Sequence, residues 1–212
     1  MIGLTVAAIA TLFGILLGLL AVEAYQDFSA VEDIVSKEAQ TIAVLRRDFG
    51  GFPQPARDSL LKGLRDFAHE AIEAAHPPPD VPQNPHSNSS ALDAMFSEIM
   101  NFQPKLKSEE VIQAEAFSRL NALLEQRRFL VAAGEGGIPT ELWYIVCLNG
   151  LLLLSLICLF DMELHVHLVL CSIIALFIGS AVFIIAALDN PFNGGLTVSS
   201  APIESVLAVM MK

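Results

Sequence analysis

IGLTVAAIATLFGILLGLLAV, residues 2–22, carries no charged side chain, and EAYQDFSAVEDIVSKEAQTIAVLRRDF, residues 23–49, follows it without a proline or a glycine. A helix needs about 20 apolar residues to cross the hydrocarbon core at 1.5 Å rise per residue. Nothing between residues 19 and 49 supplies a helix breaker. The two stretches therefore predict one unbroken helix that starts inside a membrane and runs out into water. The first stretch lacks the basic leader of a signal peptide, its apolar part is longer than the usual h-region, and no A-x-A cleavage site follows. It is read as a retained span.

Two more uncharged runs stand further along. Residues 142–160 lie between Glu141 and Asp161, and residues 164–188 hold only His165 and His167 as ionisable groups. With 54% hydrophobic residues and a mean hydropathy of +0.57, the chain is too apolar for an ordinary soluble domain of 212 residues. In lipid every backbone polar group must be satisfied within its own segment, so each run is predicted to be a helix. The sequence thus predicts an all-α integral membrane protein with three transmembrane helices and a helical cytoplasmic region. Eleven of the twelve basic residues lie between Tyr25 and Trp143, and the twelfth is Lys212. Basic residues stay on the cytoplasmic side, which predicts an N-terminus outside, with residues 26–140 and the C-terminus in the cytoplasm. A net charge of −11 argues against nucleic-acid binding.

Working outward, the expected organisation is a first transmembrane helix over 1–25 that continues as a cytoplasmic helix to about 49, a cytoplasmic region over 26–140, a transmembrane hairpin over 141–188 and a cytoplasmic tail over 189–212. Ala24, Phe28, Val31, Val35, Ala39, Ile42, Leu45 and Phe49 recur at helical spacing until Gly50-Gly51 stops them. Pro55 opens a second helix to about Ala75, with Leu60, Leu61, Leu64, Phe67, Ala68 and Ile72 on one face. The Pro/Asn/Ser-rich segment 77–90 predicts a mobile loop. Further helices are predicted over about 91–102 and about 108–133, the latter with Ser108 as N-cap. Trp143 and Tyr144 suit interface depth. Residues 161–163 form a tight turn, and residues 203–211 form a short helix along the inner surface.

The first helix carries a stripe of small residues, Gly3, Ala7, Gly14 and Gly18. Gly14-xxx-Gly18 permits close helix approach in lipid, either against the second and third spans or between identical first helices of an oligomer. Thr11, Ile15 and Leu19 follow one another on a neighbouring face, which drifts towards Glu23 and Gln26. An apolar face ending in a carboxylate suits a hydrophobic constriction with a charged mouth; the other reading has Glu23 simply at the interface. Cys147, Cys158 and Cys171 sit in the apolar runs and are read as small packing residues, neither disulfides nor ligands. His165 and His167, two apart, do not share a helix face; with Asp161 and Glu163 they leave an outer metal site as the lesser reading beside interface histidines. No metal and no cofactor is expected. The chain has no phosphate loop, nucleophile elbow, H-E-x-x-H or CxxC motif, so an enzyme is not expected.

Three stretches resemble one family. Gly14-Ile15-Leu16-Leu17-Gly18 leading through Glu23-Ala24-Tyr25-Gln26-Asp27-Phe28 to Glu38-Ala39 and Leu45-Arg46-Arg47 looks like the pore helix of bestrophins. Ile138-Pro139-Thr140-Glu141-Leu142-Trp143 looks like the entry to their membrane hairpin. Leu188-Asp189-Asn190-Pro191-Phe192-Asn193-Gly194 is similar to the Asp/Asn-Pro-Phe-Gly segment after their last membrane helix. The chain thus resembles the bestrophin-like family of bacterial membrane proteins, and more remotely the bestrophin ion channels.

The resemblance implies a homo-oligomer, with a pentamer favoured, and a pathway for inorganic ions on its axis. Thr11, Ile15 and Leu19 would form the neck, Glu23 and Gln26 the mouth, Gly14 and Gly18 the helix packing, and Asp189, Pro191, Phe192 and Gly194 the tail motif. Bestrophins usually have four membrane helices, whereas three are visible here. Their calcium-binding members carry an acidic cluster after the tail motif, where this chain has Leu196-Thr197-Val198-Ser199-Ser200, so no such calcium clasp is expected. A ring of Glu23 carboxylates would favour cation or non-selective conduction over the anion conduction usual in bestrophins. The alternative function is a non-conducting scaffold or signalling subunit that binds a cytoplasmic partner.

Overall fold

The computed structural model describes residues 2–75, 89–158, 160, 162–192 and 196–211. Regular structure among them is helical: α1 (Ile2–Phe49), α2 (Ala56–Ala75), α3 (Ser90–Asn101), α4 (Lys107–Glu135), α5 (Thr140–Ile157), α6 (Leu164–Leu188) and α7 (Ala201–Met210). The first helix is continuous through 48 residues, as its lack of breakers requires. Most of segment 77–90, together with Asp161 and Gly194, lies outside the described residues. Two compact units divide the chain, one from Met1–Ser29 and Gly136–Leu196, the other from Ala30–Glu135 and Thr197–Lys212.

The first unit contains the three helices long and apolar enough to cross a membrane, namely the start of α1, α5 and α6. Its core joins Phe13, Leu17 and Ala24 of α1 to Val146 and Leu153 of α5 and Ile185 of α6, edged by Leu20, Ile138 and Trp143. The Phe13 ring packs beside Gly150, where an added Cβ would stand 3.6 Å from it. Trp143 turns towards this core, whereas Tyr144 stays exposed. Outside this seam little of α6 is covered: Ile185 and Ala187 are its buried residues. An uncharged helix left this open has lipid or another chain as its natural surroundings.

The second unit is a helical bundle. Val31, Val35, Ala39, Ile42, Leu45 and Phe49 of α1 are all buried, as are Leu60, Leu64, Phe67 and Ala68 of α2; Leu61 and Ile72 are half-buried, as is Phe28 in the α1 segment of the first unit. Leu92, Met95 and Ile99 of α3 and Ala116, Leu120 and Leu123 of α4 complete the core. The Asp48 carboxylate meets the Arg119 guanidinium at 3.1 Å, and Gln126 Nε2 donates to Thr41 Oγ1 at 3.2 Å. These pairs run in opposite sequence directions, so α4 lies antiparallel to α1.

One helix end differs from expectation. α4 begins at Lys107, so Ser108 lies inside it rather than at its N-cap. Glu109 takes over the capping, accepting from the backbone N–H groups of Lys105 (2.6 Å) and Leu106 (3.2 Å). This is the reach-back half of a capping box; a carboxylate three positions into the helix outcompetes the shorter serine. α7 buries its apolar residues Ile203 and Leu207 and packs on α2.

Candidate pore face and its supporting polar groups

α1 has two unlike sides within the first unit. Phe13, Leu17 and Ala24 are buried. At about 100° per residue, Ile15 lies roughly 160° around the axis from Phe13. Ile15 is 56% exposed and Leu19 66%. Thr11, Glu23 and Gln26 are exposed as well. The five residues assigned to neck and mouth therefore lie clear of the unit's own core. The Thr11 hydroxyl donates to the Ala7 carbonyl at 2.8 Å, so its donor is met within the helix, and Glu23 is the first ionisable side chain along this face.

Gly14 and Gly18 lie on the same open side. A Cβ built on either would meet nothing within 4 Å. Of the two readings of this stripe, packing against α5 or α6 within one chain does not occur at these glycines.

The tail motif and the entry to α5, two stretches 51 positions apart, are joined directly. Asp189 Oδ1 accepts from the backbone N–H of Ile138 at 2.6 Å. Beside it Gly137 has φ +147°, a conformation that side chains rarely adopt, and a Cβ there would meet Asp189 Oδ1 at 3.3 Å. Asp189 is thus more than a helix stop. Pro191 is buried and Phe192 half-buried. Replacing Asp189 by alanine removes a charged acceptor from a part-buried amide and is expected to destabilise the unit by about 1–3 kcal/mol. Thermal unfolding in detergent checks this; an unshifted midpoint would mean that the bond contributes nothing.

α1 also encloses a carboxylate. Glu38 of α1 is 0% exposed, and neither of its carboxylate oxygens has a hydrogen-bond partner among the described residues. The oxygen Oε1 of Gln126, on α4, is buried without a donor as well. Burial pushes the Glu38 carboxyl up from 4.5 to about 7, with the Arg127 guanidinium acting in the opposite direction. A carboxyl in such surroundings holds its proton where ordinary glutamates have lost theirs. The only sequence signal was a charge between Val35 and Ala39 on the buried stripe.

The histidines and cysteines also fall into place. His165 Nε2 pairs with Glu163 Oε2 at 2.9 Å, both exposed. His167 instead faces Cys158 and Cys171. The cysteines do not fill the unit's core: Cys147 and Cys158 are exposed and Cys171 is half-buried.

Three long apolar helices, an open α1 face and a continuous exit into a helical bundle define an all-α membrane protein. The family model of the bestrophin-like domain matches residues 1–203, and the chain belongs to the bestrophin-like family. Among solved structures, a point variant of a bacterial bestrophin homologue from Klebsiella pneumoniae superposes with a TM-score of 0.76 at 13% identity, covering 98% of this chain and 86% of that one. Another variant of the Klebsiella pneumoniae homologue gives a TM-score of 0.74 at 15% identity over 98% and 84% of the two chains. At these identities the likeness is one of fold. No curated protein matches.

Proposed function

We propose that this protein is a homo-oligomeric, bestrophin-like ion channel, with a pentamer favoured, that conducts inorganic ions passively along an axis lined by α1 in a bacterial inner membrane. Thr11, Ile15 and Leu19 form its neck, and Glu23 and Gln26 its cytoplasmic mouth. Gly14 and Gly18 contact the neighbouring protomer. The observation that carries this reading is the side of α1 turned from its own core: uncharged from residue 2 to residue 22, open, and carrying Gly14 and Gly18, where an added Cβ meets no side chain among the described residues within 4 Å. A hydrophobic constriction gates by dewetting, so shortening its side chains should let water and ions through.

The test is ion flux in liposomes containing the purified oligomer. Leu19→Ala is expected to raise the leak several-fold over the unsubstituted protein, and Ile15→Ala likewise. Glu23→Gln is expected to lower the preference for cations over anions. A silent oligomer, with both neck variants equally silent, would overturn the reading and leave the non-conducting scaffold in its place.

A further inference from the structure

At the turn end of the α5–α6 hairpin three metal-ligating side chains converge. Cys158 is the C-cap residue of α5. His167 and Cys171 stand four apart on α6, where a helix places two side chains on one face. The two thiol sulfurs and an imidazole nitrogen all lie within 4.8 Å of one another. Tetrahedral Zn2+ holds sulfur at about 2.3 Å and imidazole nitrogen at about 2.0–2.1 Å, so ligands sharing one ion sit about 3.6–3.8 Å apart. A contraction of about 1 Å, on the scale of a side-chain rotation, closes the set. We propose that Cys158, His167 and Cys171 form a site for a single Zn2+ or similar thiophilic divalent cation, with a fourth position left to water.

The donor set selects the cation. Two thiolates and an imidazole suit a borderline-soft ion and disfavour Mg2+ and Ca2+, which require oxygen ligands. Each thiol loses its proton to solvent as the metal binds. The nearby groups that do not join the site are equally informative. His165 is engaged with Glu163, and Cys147 stands eleven positions before Cys158, three turns along α5. The sequence pairs His165 with His167 by proximity, whereas the fold separates them and brings His167 to the cysteines. A bound ion would tie the end of α5 to the first turns of α6.

Co2+ titration of the full chain, purified in detergent under reducing conditions, tests the proposal. One equivalent per chain is expected, with the near-ultraviolet thiolate-to-cobalt charge-transfer band and visible bands of a tetrahedral site, displaced by Zn2+. Cys158→Ser, Cys171→Ser and His167→Ala should each abolish stoichiometric binding, while Cys147→Ser and His165→Ala keep it. In the unsubstituted protein Zn2+ should protect Cys158 and Cys171 from maleimide, but not Cys147, a readout that needs no variant to fold. Failure of the reduced protein to bind one equivalent, or an unchanged cobalt spectrum in Cys171→Ser, would overturn the site. So would equal maleimide labelling of Cys158 and Cys171 with and without Zn2+.

Discussion

Glu38→Gln is expected to flatten the pH dependence of this protein's stability and to make it more resistant to unfolding at pH 8. In the unfolded chain the Glu38 carboxyl titrates near 4.5, whereas burial in the helical unit raises it to about 7. The native state therefore holds a proton that the unfolded state gives up between these values, and the sign follows. The stability contribution is fully present below about pH 4.5 and is lost as pH rises through 7. A shift of that size corresponds to about 3 kcal/mol between pH 4 and 8, or roughly 10 °C in midpoint for a chain of this length. Glutamine keeps the shape of the neutral acid and cannot ionise. Circular-dichroism melts of both proteins in the same detergent, from pH 4 to 8, make the comparison. Parallel curves at all pH values would show that Glu38 titrates normally.

Enlarging the two open glycines together, Gly14→Leu with Gly18→Leu, is expected to convert the oligomer to smaller species while leaving each protomer folded. An added Cβ at either position meets no described atom beyond its own helix turn within 4 Å, and glycine is the poorer helix former of the pair by about 1 kcal/mol. The protomer thus loses nothing. A neighbouring helix that approaches closely over these glycines would instead be pushed away, since lipid-phase helix association depends on such small residues. Light scattering in detergent reads the mass, and the melting midpoint reads the protomer. An unchanged oligomer would remove Gly14 and Gly18 from the interface; loss of the protomer fold would show that they pack within the chain.

Much of the architecture was readable because it depends on neighbours in sequence. Apolar length alone identified the helices now seen as the start of α1, α5 and α6. The missing breakers between residues 19 and 49 made α1 continuous, and the three-to-four spacing of Val31, Val35, Ala39, Ile42, Leu45 and Phe49 marked its buried stripe. Capping was less legible. Ser108 and Glu109 are both good helix-start residues, and only the path of residues 105–107 decides which side chain reaches the free N–H groups.

For the candidate site, residue types were visible and their partners were not. Thr11, Ile15, Leu19, Glu23 and Gln26 could be placed on one drifting face by helix arithmetic, but whether that face was covered by α5 and α6 required their positions. By itself, the sequence determined the membrane spans, the helical class and the small and apolar faces of α1, because hydropathy and the 3.6-residue period are local properties. The tertiary structure alone decided that Gly14 and Gly18 stay open, that Asp189 holds the amide of Ile138, that Glu38 lies buried without a hydrogen-bond partner among the described residues, and that His167 meets Cys158 and Cys171. Each of those depends on how segments distant in sequence pack, and no local pattern encodes that.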